Sequence, residues 1–157
     1  MVVGALPGHR GVVAAASYEA RRYGIHSAMP IAEAHRRCPA AVYLRPDMAK
    51  YKQASREVFA VLETLAPEVE AASIDEAYLD ITGCQRLFGE PREIAWEIKR
   101  KIKETVHLTC SVGVAPNKFL AKIASDVQKP DGLTLILPDQ VATFIDSLPV
   151  KKVPGVG

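Results

Sequence analysis

Between residues 68 and 137 the hydrophobic pattern switches between a two-residue and a roughly 3.6-residue period, in an order that few folds accommodate. Val69 to Ile74 and Ala77 to Ile81 alternate as two strands of a hairpin, after Pro67 ends the preceding helix. Pro91 to Val106 sets Ile94, Ile98 and Ile102 on one helical face. Glu90 and Glu93 stand at its start and Lys99, Arg100, Lys101 and Lys103 towards its end, as the helix dipole favours. Leu108 to Val114 is a third strand and Pro116 to Gln128 a further helix. A Pro130-Asp131-Gly132 turn then leads to a fourth strand at Leu133 to Leu137. This order predicts a small mixed sheet with its helices over one face, an α+β fold.

The flanks are simpler. "VVGA" opens the chain as a strand, and Val12 to Ala16 is a second short strand after the Pro7-Gly8 turn. Ser17 is placed to N-cap a helical turn through Arg22, which Gly24 stops. A short helix is predicted from Pro30 to Arg37, an extended piece at Tyr43-Leu44, an amphipathic helix from Met48 to Leu65, and a last helix from Asp139 to Leu148.

With 157 residues, 48% of them hydrophobic and 24% charged, the chain can bury a core of ordinary size. No apolar run approaches the about 20 residues that span a bilayer, and the N-terminus lacks the basic start and apolar core of a signal peptide. Cys38, Cys84 and Cys110 are odd in number and widely spaced, which suits a reducing, cytoplasmic setting better than a disulfide framework or a zinc site. The four histidines show no ligand spacing, and there is no Ser/His/Asp pattern and no Gly-rich phosphate loop. Hydrolase and P-loop chemistry are disfavoured accordingly.

Charge is segregated. Residues 1–52 hold eight Lys/Arg against three Asp/Glu, residues 53–98 three against ten, and residues 99–157 nine against five. An acidic middle between basic flanks suits a site that gathers cations centrally and polyanions at its rim, although solvated helix faces can segregate in the same way.

The acidic middle contains "ASIDEAYLDI", in which Asp75 and Glu76 interrupt an apolar hairpin whose buried residues are expected to be Ile74, Ala77, Leu79 and Ile81. Neighbouring strand residues face opposite ways, so both carboxylates reach one point only if the chain turns between them. Oxygen ligands of that kind suit Mg²⁺, which keeps several waters and shares substrate phosphates. A plain turn with its acids in water fits the same residues. Asp80 is expected at a strand end, facing solvent or making a local hydrogen bond. In "PNKFLAKIASDVQK", Phe119, Leu120, Ile123 and Val127 form a core face, and Lys118, Lys122 and, if the helix extends that far, Lys129 an opposite stripe that by default is solvated. Pro130 restrains Lys129. In "SYEARRYGI", Tyr18 and Arg21 lie three apart after a capping serine, a donor pair suited to phosphate oxygens or simply a surface arginine beside a half-buried tyrosine.

In register along the chain, "VVAAASYEARRYGI", "SAMPIAEAHRRCP", "YKQASREVFAVLETLAPEVEAASIDEAYLDITG", "CSVGVAPNKFLAKIASDVQKPDG" and "KKVPGVG" resemble the Y-family (translesion) DNA polymerases of the polymerase IV type. The resemblance implies a fingers lobe over 1–47, a ferredoxin-like palm over 48–137, and over 138–157 the start of a thumb with a helix-hairpin-helix turn at "VPGVG". It implies that Asp75 and Glu76 are metal-binding catalytic carboxylates for two Mg²⁺ ions. Tyr18, Arg21 and Lys129 would hold the triphosphate of an incoming dNTP, and Lys122 would approach the primer backbone of template–primer DNA. The reaction implied is nucleotidyl transfer to a primer 3′-hydroxyl in DNA repair synthesis past lesions.

The departures are equally specific. The family's first palm strand carries a further metal-binding aspartate and, just after it, an aromatic residue that screens the sugar; here no aspartate precedes Asp47. Ala15 stands where the family often has a hydroxyl residue. The chain is therefore expected to be a fragment lacking that strand, most of the thumb and the little-finger domain, and to be inactive by itself. A palm sheet short of a strand would leave an unpaired edge, through which a homodimer could form. A non-catalytic nucleic-acid or protein-binding module on a palm scaffold is the rival reading. A nucleotide cyclase, which also has a palm-like sheet and paired acids, is disfavoured by "YEAR" and "VPGVG".

Overall fold

Short apolar runs near the N-terminus satisfy their backbone groups by pairing across long stretches of sequence. In the computed structural model, which describes residues 1–153, the chain divides into two units, Met1–Lys50 and Tyr51–Gly157. In the first, β1 (Val2–Gly4) lies between β2 (Val13–Ala16), which is antiparallel to it, and β3 (Tyr43–Leu44), which is parallel. Val2 and Val13 point inward with Ile25, Met29, Ile31 and Ala34 to form the core of this unit. Ser17 caps α1 (Tyr18–Arg21) as expected, its Oγ accepting from the Ala20 amide at 3.4 Å. The chain leaves α1 through Gly24 at φ 71°, a left-handed turn that glycine adopts without strain. After Pro30, α2 (Ile31–Arg37) buries Ile31 and Ala34.

α3 (Met48–Leu62) leads into the second unit and stops a turn earlier than its periodicity suggests. The Thr64 hydroxyl donates to the Val61 carbonyl at 2.7 Å, and Leu65, fully buried, closes a final turn onto Leu62. β4 (Glu68–Ala71) and β5 (Ala77–Asp80) then form the expected antiparallel hairpin, in register from Glu68↔Asp80 to Ala71↔Ala77. Its connection is a five-residue loop, Ala72 to Glu76, closed by the amides of Ala72 and Ser73 on the Glu76 carbonyl at 2.9 and 3.1 Å. Ile74 is therefore not a buried strand residue but a loop residue, 43% exposed. The loop closes before Ile74 can pair.

A single-turn helix that the sequence did not suggest, α4 (Gln85–Phe88), precedes α5 (Pro91–Val106). The first turn of α5 is a capping box, in which the Glu90 amide donates to Glu93 at 2.7 Å, and the helix ends at His107 in the left-handed conformation. β6 (Val112–Val114) crosses through α6 (Lys118–Val127) to β7 (Leu133–Leu135), which runs parallel to it. The C-terminal helix expected at 139–148 is instead a 3-10 turn at Pro138–Gln140, α7 (Val141–Asp146), and a second 3-10 turn at Val150–Lys152. The expected helix-hairpin-helix turn at "VPGVG" spans residues 153–157, all but the first of which lie outside the described residues.

Two features of the expected sheet need correction. Among the described residues β4–β5 and β6–β7 are separate two-stranded ladders rather than one mixed sheet. Both ladders rest on a shared core: Val69, Leu79, Ile81 and Val112 pack with Leu62 and Leu65 and with Ile94, Ile98 and Ile102 of α5. Burial of apolar side chains holds the two ladders to the same layer without backbone pairing between them. Nor do the helices keep to one face. Val112 belongs to the α5 core, whereas a Cβ on the next residue, Gly113, would point into α6 at Ala121, Ala124 and Ser125. Successive strand residues face opposite ways, so β6 is covered on both sides. The α+β class stands; the one-sided arrangement does not.

Candidate active site at the hairpin tip

The β4–β5 loop sets Asp75 and Glu76 next to each other, and each carboxylate has its own partner. The Ser73 hydroxyl donates to Asp75 Oδ1 at 2.6 Å and accepts from the Asp75 amide at 3.2 Å, a reciprocal local turn that fixes the side chain. Glu76 Oε1 forms an ion pair with Lys122 Nζ of α6. Both carboxylates are exposed. Solvated and partnered in this way, neither acid carries the cost of an unpaired carboxylate buried against an apolar sheet.

The lysine stripe of α6 is not free in solvent. Lys118 pairs with Glu70 of β4 and lies 5.8 Å from the ring centroid of Tyr78, the cross-strand neighbour of Glu70. Its hydrogen bond to Glu70 holds the Lys118 ammonium above its usual pKa, even though some desolvation works against this. Lys122 is only 26% exposed. Burial pulls its pKa down, but the Glu76 carboxylate and Asp126 outweigh burial and leave it above the ordinary lysine value. Two rungs, Lys118–Glu70 and Lys122–Glu76, therefore fasten α6 to the hairpin. Asn117 orients the helix for both by accepting from the Leu120 amide at 2.9 Å.

Lys129, beyond the end of α6, pairs instead with Asp126 at 2.5 Å, and both partners are partly exposed. In the first unit, Arg21 stacks over the Tyr18 ring at 5.1 Å, and its Nε donates to the Ala16 carbonyl at 3.1 Å. Tyr18 and Arg21 thus act as one local pair. Asp80 is the strand-end residue expected, with Oδ1 accepting from the Thr82 amide at 2.8 Å. Hydrogen bonds from the Thr82 side chain and backbone hold its carboxyl below the usual range.

Sequence reasoning missed two contributors. Ser73 orients Asp75, and a serine two residues before an aspartate in a loop is a legible signal for such a turn. The lysine–glutamate rungs join residues 46 and 48 apart, with no local signal at all.

As a cation site the tip is partial. Asp75 and Glu76 offer only oxygen, the donor set of a hard divalent ion, and a surface ion pair such as Glu76–Lys122 is weak enough for such an ion to compete with it. Among the described residues no cluster of three or more His, Cys, Asp or Glu could hold a metal. The pair fits Mg²⁺ only as part of a shell that waters and substrate oxygens complete. The three cysteines are free, and no described helix is long and apolar enough to cross a membrane.

The profile of the family described as impB/mucB/samB matches residues 1–126. The whole chain aligns at 51% identity with the DNA polymerase IV of Ralstonia nicotianae and, over 160 residues, at 52% with that of Methanoculleus marisnigri; it covers 44% of each. Among solved structures it resembles an insertion ternary complex of Dbh DNA polymerase, with a TM-score of 0.90 and 41% identity over 99% of this chain and 46% of that one. DinB from Sulfolobus solfataricus gives a TM-score of 0.91 and 42% identity at the same coverage. The chain spans less than half the length of the relatives it matches. With the family profile matched over residues 1–126, about half of the residues identical to curated relatives and the backbone superposing at a TM-score of 0.90, the chain belongs to the impB/mucB/samB family, the Y-family DNA polymerases.

Proposed function

We propose that this chain carries the nucleotide- and metal-handling part of a template-directed DNA polymerase for lesion bypass. In this reading residues 1–47 are a fingers lobe, 48–137 a palm and 138–157 the start of a thumb. The observation that carries it is the hairpin tip, where adjacent oxygen donors lie under a lysine of α6. Asp75 and Glu76 would hold Mg²⁺, which when bound supplies charge neutralisation at the phosphates and activation of a hydroxyl. Ser73 keeps the Asp75 carboxylate presented to solvent. Lys122 holds Glu76 in place and stands ready to turn to a primer phosphate. Tyr18, Arg21 and Lys129 supply the donors for a dNTP triphosphate, with Arg21 pre-oriented by its stack on Tyr18. The basic flanks serve template–primer DNA through its phosphates, and the setting proposed is the cytoplasm.

The test is calorimetric binding of dATP to the chain, with and without Mg²⁺. Binding is expected to be stronger with the metal, and the Asp75→Asn/Glu76→Gln double variant is expected to lose that increment while keeping its melting temperature. Exposed acids contribute within about 0.5 kcal/mol to stability, so their loss should leave the fold intact. A metal increment that survives the double substitution would place the ion elsewhere.

Among the described residues no third carboxylate joins the two, and two alone make a weak two-metal site. The 157-residue chain is therefore expected to give no primer extension with Mg²⁺ and all four dNTPs. Extension above a no-protein control would mean that these two acids suffice.

A further inference from the structure

Lys99, on α5, is the only buried charged side chain among the described residues, at 7% exposure. Its ammonium has three hydrogens and three acceptors. Nζ donates to the Cys110 carbonyl at 2.7 Å, to the Asp131 carbonyl at 2.9 Å, and to the Asp131 carboxylate. It also sits 5.9 Å from the centre of the Trp96 ring. Only the lysine of this pair is buried, the Asp131 side chain being 52% exposed, so desolvation of the ammonium offsets much of what the pair contributes, and an apolar residue of similar size often serves stability as well. Stability alone is thus a poor reason for a lysine here. What the lysine adds is geometry.

It grips Asp131 by backbone and side chain together, two residues beyond Lys129. Asp131 holds a left-handed φ of 57°, unusual for a residue other than glycine. The same turn is closed tightly on itself, since a Cβ on Gly132 would come within 2.3 Å of the Gln128 carbonyl oxygen, and it is tied to β6 where the Gly132 carbonyl accepts from the Val112 amide at 3.0 Å. The segment from Gln128 to Gly132 is therefore held to the body of the unit, while the Lys129 side chain, 46% exposed, pairs with Asp126 on the last turn of α6.

We propose that Lys99 is a positioning residue for Lys129. By fixing the turn at Asp131 it presents the Lys129 ammonium to the phosphates of a nucleoside triphosphate, so that binding need not order the turn. The inference rests on the reading of Lys129 as a triphosphate ligand, and its test separates the two.

The affinity of the full chain for dATP is measured by calorimetry for wild type, Lys99→Met, Lys129→Ala and the double variant, with deoxyadenosine as the phosphate-free control. Lys99→Met keeps the apolar stem and removes the charge. It is expected to weaken dATP binding about tenfold, to leave deoxyadenosine binding unchanged, and to add nothing once Lys129 is alanine. A merely structural role would weaken both ligands and persist in the Lys129→Ala background; either result overturns the proposal. Normal dATP affinity in Lys99→Met, beside a weakened Lys129→Ala, sinks the positioning role and leaves the ligand reading intact. No effect of Lys129→Ala sinks both. Trp96, the only tryptophan, reports by its fluorescence whether the fold around the turn survives. Should Lys99→Met fail to fold, Asp131→Asn keeps the carbonyl acceptor and tolerates the left-handed backbone. It is expected to show the same pattern at smaller amplitude, and an Asp131→Asn chain with unchanged dATP affinity counts against the proposal.

Discussion

Gly113→Ala is expected to destabilise the protein by about 3 kcal/mol or more, and Gly113→Val to prevent the second unit from folding. An added Cβ would lie 2.1 Å from the Ala121 carbonyl oxygen, 2.4 Å from the Ser125 amide nitrogen and 2.9 Å from the Ala124 Cβ. Two of these three atoms are helix backbone, so no rotamer change relieves the clash. α6 would have to back away from β6. That movement opens the core formed by Leu120, Ala124 and Ile136 and pulls on both lysine rungs to the hairpin. Thermal unfolding is the direct measurement, and a fall of roughly 10 °C is expected for the alanine variant. A change within about 0.5 kcal/mol would show that α6 does not sit so close to the strand. Glycine is needed here for close approach rather than for its backbone freedom.

Ile94→Ala is the second large effect. Ile94 is fully buried on α5, where Ile98 and Ile102 extend the same face, and it packs into the core that underlies both ladders of the second unit. Removing three carbons from such a site costs about 3–4 kcal/mol, as lost transfer energy and a residual cavity. The functional consequence differs from that of a surface change. β4–β5 carries Asp75 and Glu76 on its loop, and its Val69, Leu79 and Ile81 rest on this core. Urea unfolding should therefore show a lower midpoint with an unchanged slope. At temperatures where the variant is still folded, its Mg²⁺-dependent increment in dATP binding should also shrink, because the hairpin tip is less firmly seated. Ile94→Val, which removes one methyl group, should cost about 1 kcal/mol and leave the increment intact. If Ile94→Ala binds like wild type despite its lower stability, the hairpin does not take its position from this core.

What the residues dictated alone were the local elements. Ser17 caps α1 where the sequence places it, and Glu90 and Glu93 stand at the start of α5 as expected, because a helix start is settled within a few residues of chain. The isoleucines of α5 turn inward because helical periodicity leaves them no other face. The acidic pair at 75–76 was visible as an interruption of an apolar pattern, and the family followed from motifs in common order. Tertiary structure decided which strands pair and where the charges find partners. β1 joins β3 across some forty residues, the second unit forms two ladders instead of one sheet, and β6 is covered on both faces. Glu76 meets Lys122, and Lys99 meets Asp131, through the packing of helices on strands. Such contacts leave no periodic trace, since a single ion pair is too weak to direct folding and forms wherever burial of the apolar faces has already brought the two side chains.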